Sequence, residues 1–295
     1  MRFAVLAAPD SWYLKDLLRA AGSQHELMAI PFSEMSAAIT PASGLRFMSA
    51  GFDLADFDAV IVRTMPPGSL EQVVFRMDCL GRYEAGGGVV MNPARAIEAA
   101  VDKYLTSAKI QTTGLLTPRT IACQTPDDAM AAFEQLGGDV VVKPLFGSEG
   151  RGITRLNDEA LALRAFKMLA QLGAVLYVQE FVPHEGYDIR LLLIGEQVFC
   201  MRRRNPLDWR TNISRGAKAE PMTPDQSMID MANRAAQAVG APLAGVDLLP
   251  GRDGQLYTIE VNAVPGWKGL ARALDHDIAK TVLDFVAAEV TRRRH

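Results

Sequence analysis

The sequence predicts an α/β fold that becomes α+β in its C-terminal part. Over residues 1–95, short apolar runs alternate with segments of helical spacing, which is typical of a small parallel sheet. From residue 186 onward, extended segments follow each other with little between them, which indicates antiparallel pairing. The chain has 295 residues, more than one average domain, so we expect more than one compact unit.

The first unit is predicted over residues 1–92. RFAVLAA (2–8) is typical of a buried strand, and WYLKDLLRAAG (12–22) places leucines at helical spacing before a glycine stop. The same patterns predict strands over 26–32, 57–64 and 88–92 and a helix over 70–87. We expect these elements to form one α/β domain.

The second unit is predicted over residues 93–182. Asn92 is expected to cap a helix that has Pro93 in its first turn, and a further helix is expected near Asp102. The remaining predicted elements are strands over 115–124, 139–145, 153–156 and 175–182, helices over 125–138 and 157–173, and a glycine loop over 147–152.

The third unit is predicted over residues 183–295. Two strands over 187–204 meet at Gly195-Glu196, and residues 205–221 are expected to form a polar loop. The other predicted elements are a helix over 223–240 capped by Thr223, strands over 245–249 and 256–262, and a helix over about 275–291.

Composition excludes several classes of function. The net charge of −3 gives no electrostatic argument for nucleic-acid binding, and no apolar run reaches the length of a membrane span, so we expect neither partner. Three widely spaced cysteines predict reduced thiols, and the cytoplasm is the expected location. The first strand is not followed by a glycine fingerprint, which argues against a dehydrogenase.

A hairpin near the C-terminus carries the strongest chemical signal. If Asp253 and Gly254 form a two-residue turn, Asp247 lies opposite Glu260, and Asn262 shares their face. Two carboxylates and an amide oxygen suit Mg²⁺. The alternative is an ordinary polar face of an edge hairpin.

A second signal lies at GSEGRG. Gly147, Gly150 and Gly152 would let backbone N–H groups approach phosphate oxygens, although a plain hairpin turn gives the same pattern. Lys143 precedes this loop in a β-branched run and either reaches solvent or faces an anion. Lys103 is compatible with an ordinary surface position.

A third signal consists of charges on and after the 187–204 strands. Asp188 and Arg190 share a strand face, where they could bind a ligand or simply pair with each other. Five arginines within fourteen residues suggest an anionic small ligand; they are Arg202, Arg203, Arg204, Arg210 and Arg215. Alternation turns Arg203 away from Arg202 and Arg204, so these arginines cannot all serve one site.

The motifs occur in a fixed order that resembles the ATP-grasp carboxylate–amine ligases, specifically the RimK-like α-L-glutamate ligases. They are Lys103, Lys143 with its glycine loop, QEF, DIR, RTNISRG, GVDLL and IEVNAVPG. The resemblance covers about residues 90–290 and implies an ATP-grasp fold, with residues 1–92 as a Rossmann-like pre-grasp domain.

The resemblance also implies roles for individual residues. The ATP contacts would be Lys103, Lys143, Gly147, Ser148, Glu149, Gly150 and Gly152 around the phosphates, Gln179, Glu180, Phe181 and Val182 at the adenine, and Asp188 at the ribose. Asp247, Glu260 and Asn262 would hold two Mg²⁺ ions, with Mn²⁺ as an alternative. Arg190, Arg203, Asn212 and Arg215 would steady the transferred phosphate and an acyl phosphate.

The implied reaction joins a carboxylate acceptor to an amino acid, with glutamate by analogy, at the expense of ATP. The segment RTMPPGSLEQVVFRMD (63–78) differs from what the ribosomal-protein enzymes lead us to expect, which favours a small-molecule coenzyme, or else a peptide C-terminus, as the acceptor. A homodimer or homotetramer is compatible with the family. The alternative is a nucleotide-binding module that regulates a partner without turnover.

Overall fold

The computed structural model describes residues 1–42, 44–147 and 150–294. Four sheets and the helices packed on them make up this part of the chain. We call them the N-terminal, hairpin, middle and C-terminal sheets.

The N-terminal sheet is parallel and confirms the predicted strand–helix alternation. Its strands, in the order β2-β1-β6-β7, are β1 (Arg2–Leu6), β2 (Glu26–Ile30), β6 (Ala59–Val62) and β7 (Val90–Met91). Two crossover helices connect them, α1 (Trp12–Ala21) after β1 and α2 (Leu70–Ala85) after β6. A capping box of Ser69 and Gln72 begins α2.

The hairpin sheet was not predicted from the sequence. It is antiparallel and contains β3 (Ser36–Thr40), β4 (Gly44–Ser49) and β5 (Phe52–Asp53). Every residue of β3 is exposed, so this strand lacks the buried alternating face on which strand prediction depends.

Two helices connect the N-terminal sheet to the middle sheet, α3 (Ala94–Val101) and α4 (Lys103–Thr112). Asp102 caps α4 through its side chain, as the predicted helix start near this residue requires. The cap predicted at Asn92 is wrong. The buried Asn92 amide donates to Leu243 O (2.6 Å) and Ala263 O (2.5 Å) and accepts from Leu243 N–H (3.0 Å).

The middle sheet is antiparallel, in the order β10-β9-β11-β8. Its strands are β8 (Thr120–Cys123), β9 (Val140–Lys143), β10 (Thr154–Leu156) and β11 (Leu176–Glu180), covered by α5 (Pro126–Gln135) and α6 (Glu159–Gln171). The glycine loop joins β9 to β10 as predicted.

The C-terminal sheet is also antiparallel, in the order β14-β13-β12-β15-β16. Its strands are β12 (Tyr187–Ile194), β13 (Gln197–Arg204), β14 (Lys218–Pro221), β15 (Leu243–Pro250) and β16 (Leu256–Asn262), and the remaining helices are α7 (Gln226–Val239), α8 (Lys268–Leu274) and α9 (Ile278–Arg294). Asp225, not Thr223, caps α7. The expected loop over 205–221 contains β14 and a 3-10 turn over Ile213–Arg215, and α8 was not predicted.

Apolar packing divides the molecule unevenly. Two clusters of buried side chains join the N-terminal sheet to the two faces of the C-terminal sheet, one through Leu6 and Val246 and the other through Phe3 and Trp267. A third cluster lies entirely within the middle sheet and its two helices. The domain boundaries predicted at 92/93 and 182/183 remain predictions. No helix in the described ranges is both long and apolar enough to cross a bilayer.

Candidate functional site

The predicted juxtaposition of Asp247 and Glu260 is present, although the turn differs from the prediction. Asp247 pairs directly with Glu260, but Pro250 pairs with Leu256, which shifts the register near the turn by one residue. A bulge between Asp247 and the following pair restores the register. The turn is therefore longer than two residues, and the bulge compensates for the extra one.

Four charged side chains form a buried cluster on this face, which we call the paired network: Asp188, Arg190, Arg203 and Asp247. Arg190 binds Asp247 bidentately, with Nε 2.6 Å from Oδ1 and Nη2 2.7 Å from Oδ2. Arg203 binds Asp188 bidentately at 2.7 and 2.5 Å and reaches Asp247 Oδ2 at 2.8 Å. Strand pairing places Asp188 opposite Arg203 and Arg190 opposite Asp247, so the sheet itself fixes these contacts.

The electrostatics of the paired network follow from burial and mutual charge. At Asp247 burial opposes ionisation, but Arg190 and Arg203 outweigh it and hold its pKa below the ordinary value. Burial raises the pKa of Asp188, although Arg203 and a hydrogen bond from Thr211 Oγ1 (2.6 Å) stabilise its ionised form. Burial disfavours the charge of Arg203, and the two carboxylates more than compensate, so its pKa is raised. The network neutralises itself without a ligand.

The two predicted lysines and Glu260 form a second group, which we call the open cluster. Lys143, at the end of β9, donates to Gln179 Oε1 (2.6 Å), and Lys103, at the start of α4, donates to Gly147 O (2.7 Å). Neither lysine forms an ion pair within the described ranges, and neither does Glu260. Three charges from three elements thus meet without the direct pairing of the neighbouring network.

The lysines are chemically perturbed by this environment. Burial lowers the pKa of Lys143 to about 8; Glu260 and Asp247 partly offset the effect, and Lys103 adds to it. Burial also lowers the pKa of Lys103, again against the field of Glu260. These mutual effects show that Lys103, Lys143 and Glu260 lie within electrostatic range of one another and of Asp247.

The glycine loop contacts the 212–215 segment. Gly150 has φ +70°, which favours glycine, and a Cβ atom there would lie 2.4 Å from Asn212 Oδ1, so any other residue would displace the Asn212 side chain. Arg215 Nη2 donates to Gly150 O at 3.4 Å. Ser148 and Glu149, which were also predicted to contact ATP, lie outside the described residues. The loop therefore lies between Lys103 on one side and two of the predicted phosphate-steadying residues on the other.

The predicted adenine segment, residues 179–182, begins at the last two residues of β11. The Glu180 carboxylate accepts hydrogen bonds from Arg119 Nε (2.5 Å) and from the Arg119 backbone N–H (2.8 Å). The Phe181 ring has the Arg155 guanidinium 3.5 Å from its centroid, and it packs against Trp209 and His184. Gln179 is buried and links Lys143 to Thr120 and Tyr177 through its side-chain amide.

The donor set fits a divalent cation. Asp247 Oδ1 accepts one hydrogen bond and Asn262 Oδ1 accepts one, from Val264 N–H at 2.8 Å, so each oxygen retains a lone pair. Glu260 supplies an uncommitted carboxylate. Carboxylate and amide oxygens are the ligands that Mg²⁺ prefers. Within the described part of the chain, no cluster of three or more His, Cys, Asp or Glu residues of metal-binding geometry occurs, so Asn262 is needed to complete the set.

Two sets of contacts at the site were not anticipated from the sequence, those of Asp188 and those of Asn205. Asp188 is enclosed by Arg203 and Thr211, and this geometry does not support the predicted contact with ribose. Asn205 is buried, and its amide holds the 205–217 segment by donating to Arg210 O (2.9 Å) and Arg215 O (3.2 Å). Counting back from the Gly195-Glu196 turn places Asp188 opposite Arg203, so the first of these contacts did have a sequence signal.

Comparison with protein families gives a match to the RimK-like ATP-grasp domain over residues 100–286. The chain is 30% identical to a tetrahydromethanopterin:alpha-L-glutamate ligase of Methanosarcina acetivorans, with 94% of this chain and 96% of that protein aligned. It is 33% identical to a probable alpha-L-glutamate ligase of Sodalis glossinidius, with 82% of each chain aligned.

Solved structures give the same fold. The ATP-grasp ligase PsnB, complexed with minimal precursor, Mg and ADP, superposes with a TM-score of 0.75 at 22% identity, over 98% of this chain and 97% of that one. A RimK domain ATP-grasp protein of Sphaerobacter thermophilus superposes with a TM-score of 0.74, also at 22% identity, over 97% and 99% of the two chains. The predicted ATP-grasp fold is thereby confirmed.

Proposed function

The chain belongs to the RimK-like ATP-grasp family of carboxylate–amine ligases, and from this premise we propose that it joins an amino acid to a carboxylate acceptor through an acyl phosphate. The amino acid proposed is L-glutamate, because the aligned relatives are named as glutamate ligases. The observation that carries the proposal is the open cluster, in which two lysines and a carboxylate meet beside the glycine loop without an ion pair among the described residues.

ATP is the ligand proposed to bind at the open cluster and the glycine loop. Lys103 and Lys143 supply two cations for the phosphates, and Gly147, Gly150 and Gly152 allow the backbone to approach them closely. The adenine is placed at residues 179–182. Val182 N–H donates to no acceptor among the described residues and is available to a base edge. This support is independent of the relatives' names.

Mg²⁺ is the proposed cation, held by Asp247, Glu260 and Asn262, with two ions as the resemblance implies. When bound, Mg²⁺ neutralises phosphate charge and lowers the barrier to transfer of the terminal phosphoryl group. The paired network keeps Asp247 ionised and oriented. Arg190 donates to both of its carboxylate oxygens, and the buried Arg203 donates to Oδ2. We therefore assign Arg203 a positioning role instead of direct contact with the transferred phosphate.

The proposed reaction has two steps. An acceptor carboxylate oxygen attacks the γ-phosphorus, the bond to the bridging oxygen breaks, and ADP leaves. The amino-acid nitrogen then attacks the acyl carbon, phosphate leaves, and the nitrogen loses a proton to give the amide. Arg190, Asn212 and Arg215 are the residues proposed to steady the transferred phosphoryl group, because Asn212 and Arg215 contact the glycine loop and Arg190 binds Asp247. Positioning and charge account for most of such a rate enhancement.

The acceptor is proposed to be a small-molecule coenzyme carboxylate, with a peptide C-terminus as the second option. The coenzyme is favoured because a relative at 30% identity over nearly the whole chain is named as a tetrahydromethanopterin ligase. The cytoplasm is the proposed location, because it supplies ATP and agrees with three unpaired cysteines. A homodimer or homotetramer is the proposed assembly, by analogy with the family.

The test is ADP release by the purified protein with Mg²⁺, ATP and a matrix of amino acids against carboxylate acceptors, followed by mass spectrometry. The expected result is ADP release that requires both substrates, with a product heavier by one amino-acid residue. Glu196→Gln, an exposed carboxylate in the β12–β13 turn, serves as the matched control for Glu260→Gln. ADP release that is independent of both substrates would contradict ligase activity.

A further inference from the structure

The carboxyl ends of the strands of the N-terminal sheet hold a buried charged group that the proposed reaction does not use. The strand β1 lies between β2 and β6, and the crossover helices α1 and α2 pack in different apolar clusters, on opposite faces of the sheet. The strand order therefore reverses between β1 and β6. In open α/β sheets, ligands bind outside the carboxyl ends of the strands at this point.

Arg63 lies at this position, directly after β6. Its backbone N–H donates to Leu6 O (2.9 Å), and its side chain is 6% exposed. The guanidinium carbon is 4.3 Å from the Trp267 ring and 4.8 Å from the Tyr13 ring. Nη2 donates to Pro265 O (2.8 Å), whereas Nε and Nη1 are buried without a hydrogen-bond partner.

The missing contacts at Arg63 are costly to the folded protein. Burial lowers its pKa to about 10, because no carboxylate among the described residues lies within ion-pair distance. A buried cation that lacks hydrogen bonds to two of its nitrogens destabilises the fold. A ligand that supplies two oxygen acceptors would remove this penalty.

A second buried arginine lies on α2, which packs on the other face of the N-terminal sheet. Arg76, on α2, is 5% exposed and donates from Nη1 to Pro66 O (2.9 Å). No acidic side chain in the described ranges pairs with Arg76 either. Arg76 thus belongs to the α2 face of the sheet and Arg63 to the α1 face, whereas the third buried arginine among the described residues, Arg203, binds two carboxylates.

Arg63 lies close to the proposed reaction centre. Pro265, which accepts from Arg63, lies three residues after Asn262 at the end of β16. A Cβ atom on Gly245 would lie 3.1 Å from Pro265 and 3.8 Å from Arg190 Nε, so these three residues are close neighbours. A substrate held at Arg63 could therefore extend toward Arg190 and Asp247.

We propose that Arg63 binds a carboxylate of one of the two substrates, a carboxylate that is not consumed in the reaction. A planar carboxylate can accept two hydrogen bonds from one guanidinium. Tyr13 and Trp267 cover Arg63, so the Tyr13 side chain must shift for the carboxylate to reach it. The inference rests on the proposed function for its choice of substrate. The carboxylate belongs either to the incoming amino acid or to a second acidic group of the acceptor.

The experiment measures binding and turnover separately. Binding of L-glutamate, L-isoglutamine and L-glutamine is measured calorimetrically in the presence of ADP and Mg²⁺, for the wild type, Arg63→Met, Arg63→Lys and Arg76→Met. Arg82→Met, an exposed arginine on the same helix as Arg76, is the matched control. Michaelis constants for the amino acid, the acceptor and ATP are measured in the ADP-release assay, and thermal unfolding checks that each variant folds.

If the amino acid is the source, Arg63→Met weakens L-glutamate binding about tenfold or more, and one of the two amides binds the wild type equally weakly. If the acceptor is the source, its Michaelis constant rises by a similar factor while that of the amino acid is unchanged. In both cases the constant for ATP stays within about threefold. Arg76→Met and Arg82→Met behave as the wild type, and Arg63→Lys is intermediate.

Unchanged binding and unchanged Michaelis constants for both substrates in a folded Arg63→Met protein would overturn the inference and leave the proposed function intact. Conversely, L-glutamate binding that depends on Arg63, without ADP release from any substrate pair, would support carboxylate binding at Arg63 and contradict the ligase reaction. A fall in unfolding temperature with unchanged Michaelis constants would assign Arg63 to packing alone.

Discussion

The paired network lies on the C-terminal sheet, and the open cluster combines Glu260 of that sheet with Lys143 of the middle sheet and Lys103 of α4. Charged side chains are paired in the first group and not in the second. In the paired network, Asp188 and Asp247 are satisfied by Arg190 and Arg203 at hydrogen-bond distances of 2.5–2.8 Å. In the open cluster, Glu260 forms no ion pair within the described residues, and burial lowers the pKa values of both lysines.

The difference teaches which residues hold the site and which receive the ligand. A self-neutralised cluster is rigid and has little to gain from an anion. A cluster with unpaired cations gains substantially, because the ligand replaces hydration that burial has removed. Asp247 belongs to the first group, and it faces Glu260 of the second across paired strands. It is therefore the residue through which the rigid network can orient a bound cation.

The largest effect is expected on breaking the paired network. Arg203→Met leaves the buried Asp188 and Asp247 without a shared cation, so the free energy of unfolding should fall by about 3–5 kcal/mol. Urea denaturation followed by circular dichroism measures this change. Arg202→Met, next along β13 and half-exposed beside Glu220, is the control and should cost at most about 1 kcal/mol. Equal losses of unfolding free energy in Arg203→Met and Arg202→Met would contradict the structural role assigned to the paired network.

The open cluster is expected to show the reverse pattern, a loss of activity without loss of stability. Glu260→Gln and Lys143→Met should each reduce ADP release by about 10²-fold or more, because each removes a charge that acts on the phosphates. The unfolding midpoint of Lys143→Met should equal or exceed that of the wild type, because a cation that burial disfavours is removed. Full activity in either variant would end the assignment of these residues to the phosphates.

The contact between the glycine loop and Asn212 gives a smaller effect. Gly150→Ala places a methyl group 2.4 Å from Asn212 Oδ1 at φ +70°, so we expect a fall in kcat/KM for ATP of about tenfold. Gly254→Ala has similar backbone strain, at φ +80°, and nothing within 4 Å of the new methyl group. It should keep its kcat/KM. If the two variants behave alike, strain and not the loop contact is responsible.

The pH dependence gives the smallest and most specific effect. Lys143, with its pKa lowered to about 8, is roughly half protonated at pH 8, and a bound phosphate should raise that pKa again. ADP binding at pH 8 should therefore take up about half a proton, measured by calorimetry in buffers of different ionisation enthalpy. Lys143→Met should abolish most of this uptake. Proton release by the wild type on ADP binding would contradict the expected rise in the pKa of Lys143.

The same shift has the opposite sign for stability. Between pH 8 and about pH 10.5 the unfolded chain holds more protons on this lysine than the folded protein does, so the lysine contribution to stability rises with pH. Over the same interval the affinity for ADP should fall as Lys143 loses its charge. Thermal unfolding with and without ADP separates the two trends.

Local pattern predicted the strands and helices of the three main sheets, apart from β14 and α8, and the position of the paired carboxylates, yet the hairpin over residues 243–262 shows its limit. Counting from a two-residue turn at Asp253-Gly254 predicts Asp247 opposite Glu260, which is observed. The count succeeded because a longer turn and a bulge cancel. The bulge coincides with a hydrogen bond from Thr258 N–H to Leu116 O (2.8 Å), a long-range contact that no local pattern records.

Tertiary partners explain the other departures. Asn92 precedes a proline and matches a helix cap, but three backbone groups from the β15 and β16 region bind its amide instead. Strand β14 follows a polar segment and is held by pairing with β13, not by an apolar pattern of its own. Arg63 was part of an apolar strand pattern in the sequence, and only the fold shows that its guanidinium lies among aromatic rings.

The separate apolar core of the middle sheet has a mechanical consequence. Lys143 is attached to that core, whereas Glu260 belongs to a sheet whose packing is shared with the first ninety or so residues. Displacing one body against the other breaks few apolar contacts, since each keeps its own interior. The distance between the two charges can therefore change at little elastic cost.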